Sequence, residues 1–223
     1  MFPLRDDRPI YTPPIVTTLL IVACSFVFLF ELTLDDYSRN YFTTYYGLVP
    51  AHLRLETLVT SMFLHGGWTH IIGNMMFLWA FGRSLEDAMG HTKFLGFYFA
   101  CGIIAGIVHV IFNYDSRLPT VGASGAIAGV MGGYLIKFPR ANIRTLVFLF
   151  IFITTIDIPA VGLLLFWFVA QIFSGYGSIA HTNVTDAGVA WFAHIGGFIS
   201  GMILVKTMGT RTRYFPRGRD IYW

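Results

Sequence analysis

Four polar side chains stand out in an otherwise apolar chain, because their types could together perform nucleophilic catalysis. Ser124 lies in a Gly-Ala-Ser-Gly-Ala run that begins at Gly122, and His194, His70 and Asn74 lie near the starts of other apolar runs. A serine hydroxyl becomes a nucleophile when a base accepts its proton, and histidine is suited to that task near neutral pH. The amide of Asn74 and a ring N–H of His70 could then stabilise an oxyanion.

The alternative interpretation of Ser124 is that it only packs. Serine, glycine and alanine are common where two membrane helices approach closely, so the segment around Ser124, taken alone, favours a packing role. Catalysis becomes the better interpretation only if the other polar side chains converge on the serine. Whether they converge depends on how the chain crosses the membrane.

The composition is that of an integral membrane protein. The chain has 223 residues, of which 55% are hydrophobic and 12% are charged, whereas soluble domains carry about 25% charged residues. The mean hydropathy of +0.64 also indicates a membrane protein. One compact bundle accounts for the length of the chain. Cys24 and Cys101 both lie in apolar runs, so they predict neither a disulfide framework nor a cysteine-based metal site.

Six apolar runs predict an all-α bundle of six transmembrane helices, with an exposed N-terminal arm at 1–14 and a basic tail at 209–223. The predicted spans are about 15–30, 68–81, 94–112, 123–136, 159–173 and 189–208. A span needs about 20 residues, so the short second and fourth spans must be shielded by neighbouring helices or border a water-filled cavity. The apolar stretch 145–156 is predicted to extend the fifth helix or to lie in the interface, rather than to form a seventh span.

Basic residues predict that both termini are cytoplasmic. With six spans and a cytoplasmic N-terminus, 12 of the 15 Lys and Arg residues lie inside and three outside, which is a strong positive-inside pattern. The inside set is Arg5, Arg8, Arg83, Lys93, Lys137, Arg140, Arg144, Lys206, Arg211, Arg213, Arg217 and Arg219, and the outside set is Arg39, Arg54 and Arg117. The long loop at about 32–67 is then non-cytoplasmic, and its many aromatic residues predict partial contact with the outer leaflet.

This topology places the four polar side chains at one depth, because the second, fourth and sixth spans all begin on the non-cytoplasmic side. Convergence on one layer favours catalysis over packing, with Ser124 as nucleophile and His194 as base. His70 and Asn74 would then be oxyanion donors. The amide of Ser124 would be a third donor, because it is free at a helix N-terminus. Asp186 lies two turns before the histidine, too far to orient its ring. The sequence therefore predicts a Ser–His dyad without an acid.

Glycines on the fourth and sixth spans could bring the serine and the histidine together. Gly197 and Gly201 form a small-residue face on the sixth span, and Gly125, Gly129 and Gly133 form another on the fourth. Such faces allow close helix packing. Ordinary membrane packing predicts the same glycines, so they favour contact between the two spans without deciding the chemistry.

Taken together, these motifs resemble those of the rhomboid family of intramembrane serine proteases, over about residues 47–208. The resembling pieces are His65-Gly66-Gly67-Trp68-Thr69-His70 with Asn74, Glu86 with Gly90, Gly122-Ala123-Ser124-Gly125, and Ala193-His194-Ile195-Gly196-Gly197-Phe198. The resemblance implies that Ser124 is the nucleophile and His194 its base. It also implies that His70 and Asn74 line the oxyanion site with the amide of Ser124.

The resemblance assigns two further roles and has two departures. It implies that Gly122 forms the tight turn before the serine, and that Glu86 ties together the cytoplasmic ends of helices.

Many relatives have a Trp-Arg pair in the first outer loop, where this chain has Leu55-Glu56-Thr57. Some relatives also stack a tyrosine on the histidine, but Ala128 stands at that position, which leaves the packing of His194 to other residues.

The implied function is that of a serine endopeptidase that cleaves transmembrane segments of other membrane proteins, which enter laterally from the lipid bilayer. A bacterial plasma membrane is the expected location, with no cofactor, metal or nucleic acid involved. One alternative is a rhomboid-like protein that only binds membrane clients, but such proteins lose the serine or the histidine, and both are present here. Another is a small transporter or channel, which needs polar residues through both leaflets instead of the outer half alone.

Overall fold

The computed structural model describes residues 2–149, 152–180 and 190–210, and this part of the chain is mainly helical. Its α-helices are α1 (Ile15–Thr33), α2 (Asp36–Tyr46), α3 (Thr57–Thr60), α4 (Trp68–Met89), α5 (His91–Phe112), α6 (Ser124–Lys137), α7 (Ala160–Ala180) and α8 (Trp191–Met208). Short 3₁₀ helices lie at Pro50–His52 and Ser61–Phe63. The strands are β1 (Phe2–Asp6), β2 (Asn142–Leu149) and β3 (Phe152–Pro159).

Three described helices, α1, α5 and α8, are long and apolar enough to cross a membrane, and Ala160–Phe173 of α7 forms a shorter apolar helix. The prediction of an integral membrane protein agrees with this, while the count of six spans stays a prediction. Helix α4 has 22 residues and continues well past the predicted end near Phe81. The apolar run stops there, but the helix continues to Gly90, whose φ of +81° ends it.

Helix α6 lies at the centre of the bundle, and each of its residues from Gly125 to Leu135 is buried. It packs most closely against α8, where a Cβ on Gly197 would overlap the carbonyl oxygen of Gly125. A Cβ on Gly201 would likewise overlap the carbonyl oxygen of Gly129. The glycines therefore let the two backbones touch, and the shielding by neighbours allows α6 to be only 14 residues long.

The predicted extension of the fifth helix through 145–156 is wrong, and the mainly helical fold includes a three-stranded sheet that an all-α bundle does not predict. Residues 145–149 and 152–156 lie in two antiparallel strands, with Thr145 paired to Ile156, and β1 pairs along the other side of β2. Buried Ile143, Thr145 and Val147 alternate with more exposed neighbours. This period of two, in a segment rich in β-branched and aromatic residues, favours strands over helix.

The N-terminal arm is also not simply exposed, because β1 docks against α4. The buried carboxylate of Asp6 accepts a 2.7 Å hydrogen bond from the hydroxyl of Tyr134 and lies 3.9 Å from the guanidinium of Arg83. Burial raises the pKa of Asp6, although these partners oppose the shift. Further along the arm, the amide and hydroxyl of Thr12 both donate to Asp87, at 2.8 and 2.6 Å.

Glu86 joins three helices at the same end of the bundle. Its fully buried carboxylate accepts hydrogen bonds from the amides of Val16 and Thr17, both at 2.8 Å, and from the Thr17 hydroxyl at 2.7 Å. It also contacts Nδ1 of His91 at 2.6 Å. Helix α1 has no side-chain cap of its own, so Glu86 satisfies amides in its first turn that no carbonyl within the helix reaches.

We expect Glu86→Ala to lower the free energy of unfolding by about 3–5 kcal/mol. The change leaves the buried N–H and O–H donors of α1 without an acceptor and opens a cavity. Glu86→Gln keeps one acceptor oxygen and should lower the free energy of unfolding less than Glu86→Ala does. Thermal unfolding of the purified variants in detergent micelles measures both effects. Glu56→Ala, which removes an exposed carboxylate paired with Arg54, is the matched control. An equal change in the Glu86 and Glu56 variants would contradict this role.

Candidate active site

The packing of α6 on α8 brings the predicted nucleophile and base together. Ser124 is the first residue of α6, and His194 lies in the first turn of α8. Oγ of Ser124 lies 2.7 Å from Nε2 of His194. This hydrogen bond has the geometry that a serine needs to pass its proton to a general base.

The other nitrogen of the His194 ring bonds to Gln171, a residue for which the sequence motifs predict no role. Nδ1 of His194 lies 2.7 Å from Oε1 of Gln171 on α7. Because an amide oxygen can only accept, Nδ1 carries the ring proton, and Nε2 presents its lone pair to the hydroxyl of Ser124. The available signal was an amide side chain inside an apolar span, since such groups usually face the bundle interior.

The predicted oxyanion residues lie on one face of α4, beside the turn that precedes the serine. Gly122 has a φ of +125°, and a Cβ there would lie 2.7 Å from Nε2 of His70 and 3.6 Å from Nδ2 of Asn74. Nδ2 of Asn74 is buried and has no hydrogen-bond partner among the described residues. The Gly122 amide donates to the carbonyl of Ser61 at 2.9 Å, which holds the turn open. Both side-chain donors therefore lie beside the turn that precedes the nucleophile.

The orientation of His70 follows from the loop before α4. The amide of Gly66 donates to Nδ1 of His70 at 3.3 Å, so the ring proton lies on Nε2, the nitrogen beside Gly122. The ring of His65 makes an edge contact with that of His70, with centroids 5.2 Å apart. Burial lowers the pKa of His65 to about 4, so this ring is neutral and braces the loop.

Residues 52–211 match the rhomboid domain. The chain belongs to the rhomboid family. It is 29% identical over 197 residues to the rhomboid protease GluP of Bacillus subtilis, an alignment that covers 86% of this chain and 34% of that relative. It is 40% identical over 93 residues to the putative rhomboid protease YdcA of Bacillus subtilis, with 41% of this chain and 46% of that relative covered.

A mitochondrial relative is also similar. Rhomboid protein 1, mitochondrial, of Saccharomyces cerevisiae is 34% identical over 96 residues, which cover 41% of this chain and 28% of that protein. This rhomboid spans less than half the length of each of these three relatives. The family is thus shared by bacterial and mitochondrial proteins.

In this rhomboid, tryptophans pack against the imidazole of His194. The ring of Trp167 on α7 is tilted by 42° at 5.8 Å between centroids, and that of Trp191 meets it edge-on at 6.2 Å. The small Ala128 is fully buried one turn after the serine. Trp167 and Gln171 lie one turn apart on α7, so a single helix supplies both the ring contact and the hydrogen bond to the base. Asp186 lies outside the described residues.

Proposed function

We propose that this rhomboid is an intramembrane serine endopeptidase, with Ser124 as nucleophile and His194 as general base. The observation that carries the proposal is the 2.7 Å bond between Ser124 Oγ and His194 Nε2. The buried Nδ2 of Asn74 supports it, because a donor without a partner among the described residues is costly unless a ligand or a developing charge satisfies it.

Acylation begins when Nε2 of His194 takes the hydroxyl proton as Oγ of Ser124 attacks the scissile carbonyl. The resulting oxyanion accepts hydrogen bonds from Nδ2 of Asn74, Nε2 of His70 and the amide of Ser124. One such donor is worth about 3–4 kcal/mol in the transition state. The imidazolium then protonates the leaving amine, and the peptide bond breaks to leave an ester on the serine.

Deacylation uses the same groups in reverse. His194 removes a proton from water, and the hydroxide attacks the ester carbonyl. The second oxyanion collapses, the serine oxygen leaves with the proton from His194, and the new carboxyl terminus is released. Gln171 takes the position that an acid holds in a Ser-His-Asp triad, but a neutral amide only orients the ring and adds no charge opposite the imidazolium.

We place the site near the non-cytoplasmic face of a six-span domain at about 15–208, with both termini cytoplasmic and water reaching the serine from that face. Substrates are transmembrane proteins that enter sideways from lipid. Their helices must unwind locally, because a helical peptide bond is shielded by its neighbours. The bacterial plasma membrane is the proposed location.

A fluorophosphonate probe tests the proposal without knowledge of the substrate. We expect the wild-type protein in liposomes to be labelled at Ser124, as located by mass spectrometry of peptides, since only an activated serine reacts readily. Ser124→Ala should remain unlabelled. A folded wild-type protein that does not react would count against a protease and favour a protein that only binds membrane clients.

Gln171 is proposed as a positioning residue for the base. Gln171→Leu has a similar volume but no acceptor, so we expect kcat to fall roughly 10–100-fold with little change in KM, because the imidazole loses its tautomer and orientation. Gln171→Glu retains an acceptor and should keep more activity. Steady-state kinetics with a fluorogenic substrate in liposomes separate the two constants. If Gln171→Leu kept the wild-type kcat, Gln171 would only pack against its neighbours and would not position the base.

A further inference from the structure

A second hydrogen-bonded histidine lies close to the turn that precedes the nucleophile. His109 is in the last turn of α5 and is only 7% exposed. Nδ2 of Asn113 donates to the backbone carbonyl of His109 at 3.0 Å, which fixes the orientation of the amide, and to Nδ1 of the ring at 3.3 Å. Because an amide nitrogen can only donate, Nδ1 is an acceptor and the ring proton lies on Nε2.

The Nε2 donor of His109 reaches the segment that leads into the nucleophile. It donates to the hydroxyl oxygen of Thr120 at 2.8 Å. This hydroxyl makes no other hydrogen bond within the part of the chain that the structure describes. Both ring nitrogens of His109 are thus paired, as a buried polar side chain in an apolar helix requires. The imidazole therefore ties α5 to the segment before the serine.

The backbone of the same segment is held by two other parts of the chain. The amide of Thr120 donates to the carbonyl of Leu48 at 2.8 Å, and the amide of Leu48 donates back at 2.9 Å. Two residues later, the amide of Gly122 donates to the carbonyl of Ser61 at 2.9 Å. We call residues 120–122 the turn segment. Its first residue is held by α5 and by the outer loop, and its last residue by the 3₁₀ helix at Ser61–Phe63.

The turn segment needs such contacts because Gly122 does not fix its own conformation. Glycine adopts positive and negative φ about equally well, so its surroundings must select the φ of +125°. At this angle, a Cβ on Gly122 would lie 2.7 Å from Nε2 of His70 and 3.6 Å from Nδ2 of Asn74. A shift of Thr120, two peptide units away, would change this angle and the position of both donors relative to the turn.

We propose that His109 is a positioning residue for the oxyanion site and acts through Thr120. The pairing of Thr120 with Leu48 is an isolated bridge and not part of a longer ladder, so the turn segment can pivot about it. The bond from His109, which lies on a long helix of the bundle, prevents this pivot and holds Gly122 at its φ. The inference rests on the proposed function, because it assigns His109 a role in the same reaction.

His109→Phe and Thr120→Val test this role, because they remove the donor and the acceptor while keeping similar shapes. We expect each change to lower kcat roughly 10–100-fold with little change in KM, because the oxyanion donors act mainly in the transition state. The double variant should be no slower than the slower single variant, since both changes remove the same hydrogen bond. His109→Gln keeps an N–H donor and should recover part of the lost kcat.

Two measurements are made on the same proteins in liposomes. Steady-state kinetics with a fluorogenic transmembrane substrate give kcat and KM, with His52→Phe, which removes an exposed histidine, as the matched control. Hydrogen exchange followed by mass spectrometry does not depend on catalysis. A peptide covering 119–124 should exchange several-fold faster in both single variants than in the wild type, because the amide of Gly122 loses protection. Peptides from α5 and α6 should keep their wild-type exchange rates.

Wild-type kcat in Thr120→Val would overturn the inference and leave the proposed function standing, and so would a lower kcat without faster exchange of the turn segment. The threonine variant also decides the question if His109→Phe does not fold. Faster exchange throughout the bundle would overturn the inference as well, because His109 would then only stabilise the fold. An inactive wild-type protein with faster exchange in both variants would overturn the proposed function, and with it the catalytic part of this inference.

Discussion

Ser124→Ala is expected to lower kcat for cleavage of a transmembrane substrate by about 10⁴–10⁶-fold, while the protein stays folded. The variant removes only Oγ, which lies 2.7 Å from Nε2 of His194. No other hydroxyl is expected to replace it, because the attacking oxygen must lie beside both the base and the oxyanion donors. The measurement uses purified protein in liposomes with a fluorogenic substrate that carries one transmembrane segment.

Ser200→Ala is the matched control for this variant. Ser200 is a buried serine of α8 whose hydroxyl donates to the carbonyl of Gly197 at 2.7 Å, and it has no part in the proposed chemistry. Its loss should leave cleavage near the wild-type rate. If Ser124→Ala cleaved the substrate as fast as Ser200→Ala, the nucleophile would have to be a different group.

Gly122→Ala is expected to lower kcat by about 10²–10³-fold, as the loss of one oxyanion donor does. The φ of +125° is unfavourable for any side chain, and the new Cβ would lie 2.7 Å from Nε2 of His70. The ring must move away, or the turn must change, and either response displaces a donor from the oxyanion. KM should change less than kcat, because the lost contact is strongest in the transition state.

Gly209→Ala separates backbone strain from displacement of the ring. Gly209 also has a positive φ, +68°, but none of the described residues lies within 4 Å of an added Cβ. This variant should lose about 1–3 kcal/mol of stability and keep its kcat. Thermal unfolding and steady-state kinetics are measured for both glycine variants. A folded Gly122→Ala protein with wild-type kcat would argue against His70 as an oxyanion donor.

The largest difference between prediction and structure lies between the fourth and fifth predicted spans. Apolar content predicts that 145–156 is close to the membrane but does not decide between helix and strand, and the structure has strands at Asn142–Leu149 and Phe152–Pro159. The alternative that this stretch lies in the interface stays a prediction. Its alternation is visible only where buried Ile143, Thr145 and Val147 contact the bundle. The pairing of β1 with β2 joins residues about 140 positions apart, and no local pattern predicts such a partner.

The contact of Gln171 with the base is not predictable from the sequence for a related reason. Helical periodicity places a residue on a face of its own helix, but the rotation of α7 about its axis decides which neighbour that face meets. The 2.7 Å bond to Nδ1 of His194 appears only when α7 and α8 are packed together. Trp167 enters the same environment by the same packing, one turn earlier on α7.

Composition and short motifs suffice to predict a membrane protein of the rhomboid family and to single out four polar residues near the starts of apolar runs, because each of these depends on residue type and local spacing. The distance from Ser124 to His194, the amide partner of the base and the sheet beside α4 could not be predicted in this way. Those features depend on contacts between distant segments, whose relative positions come from the packing of glycine faces and strand edges.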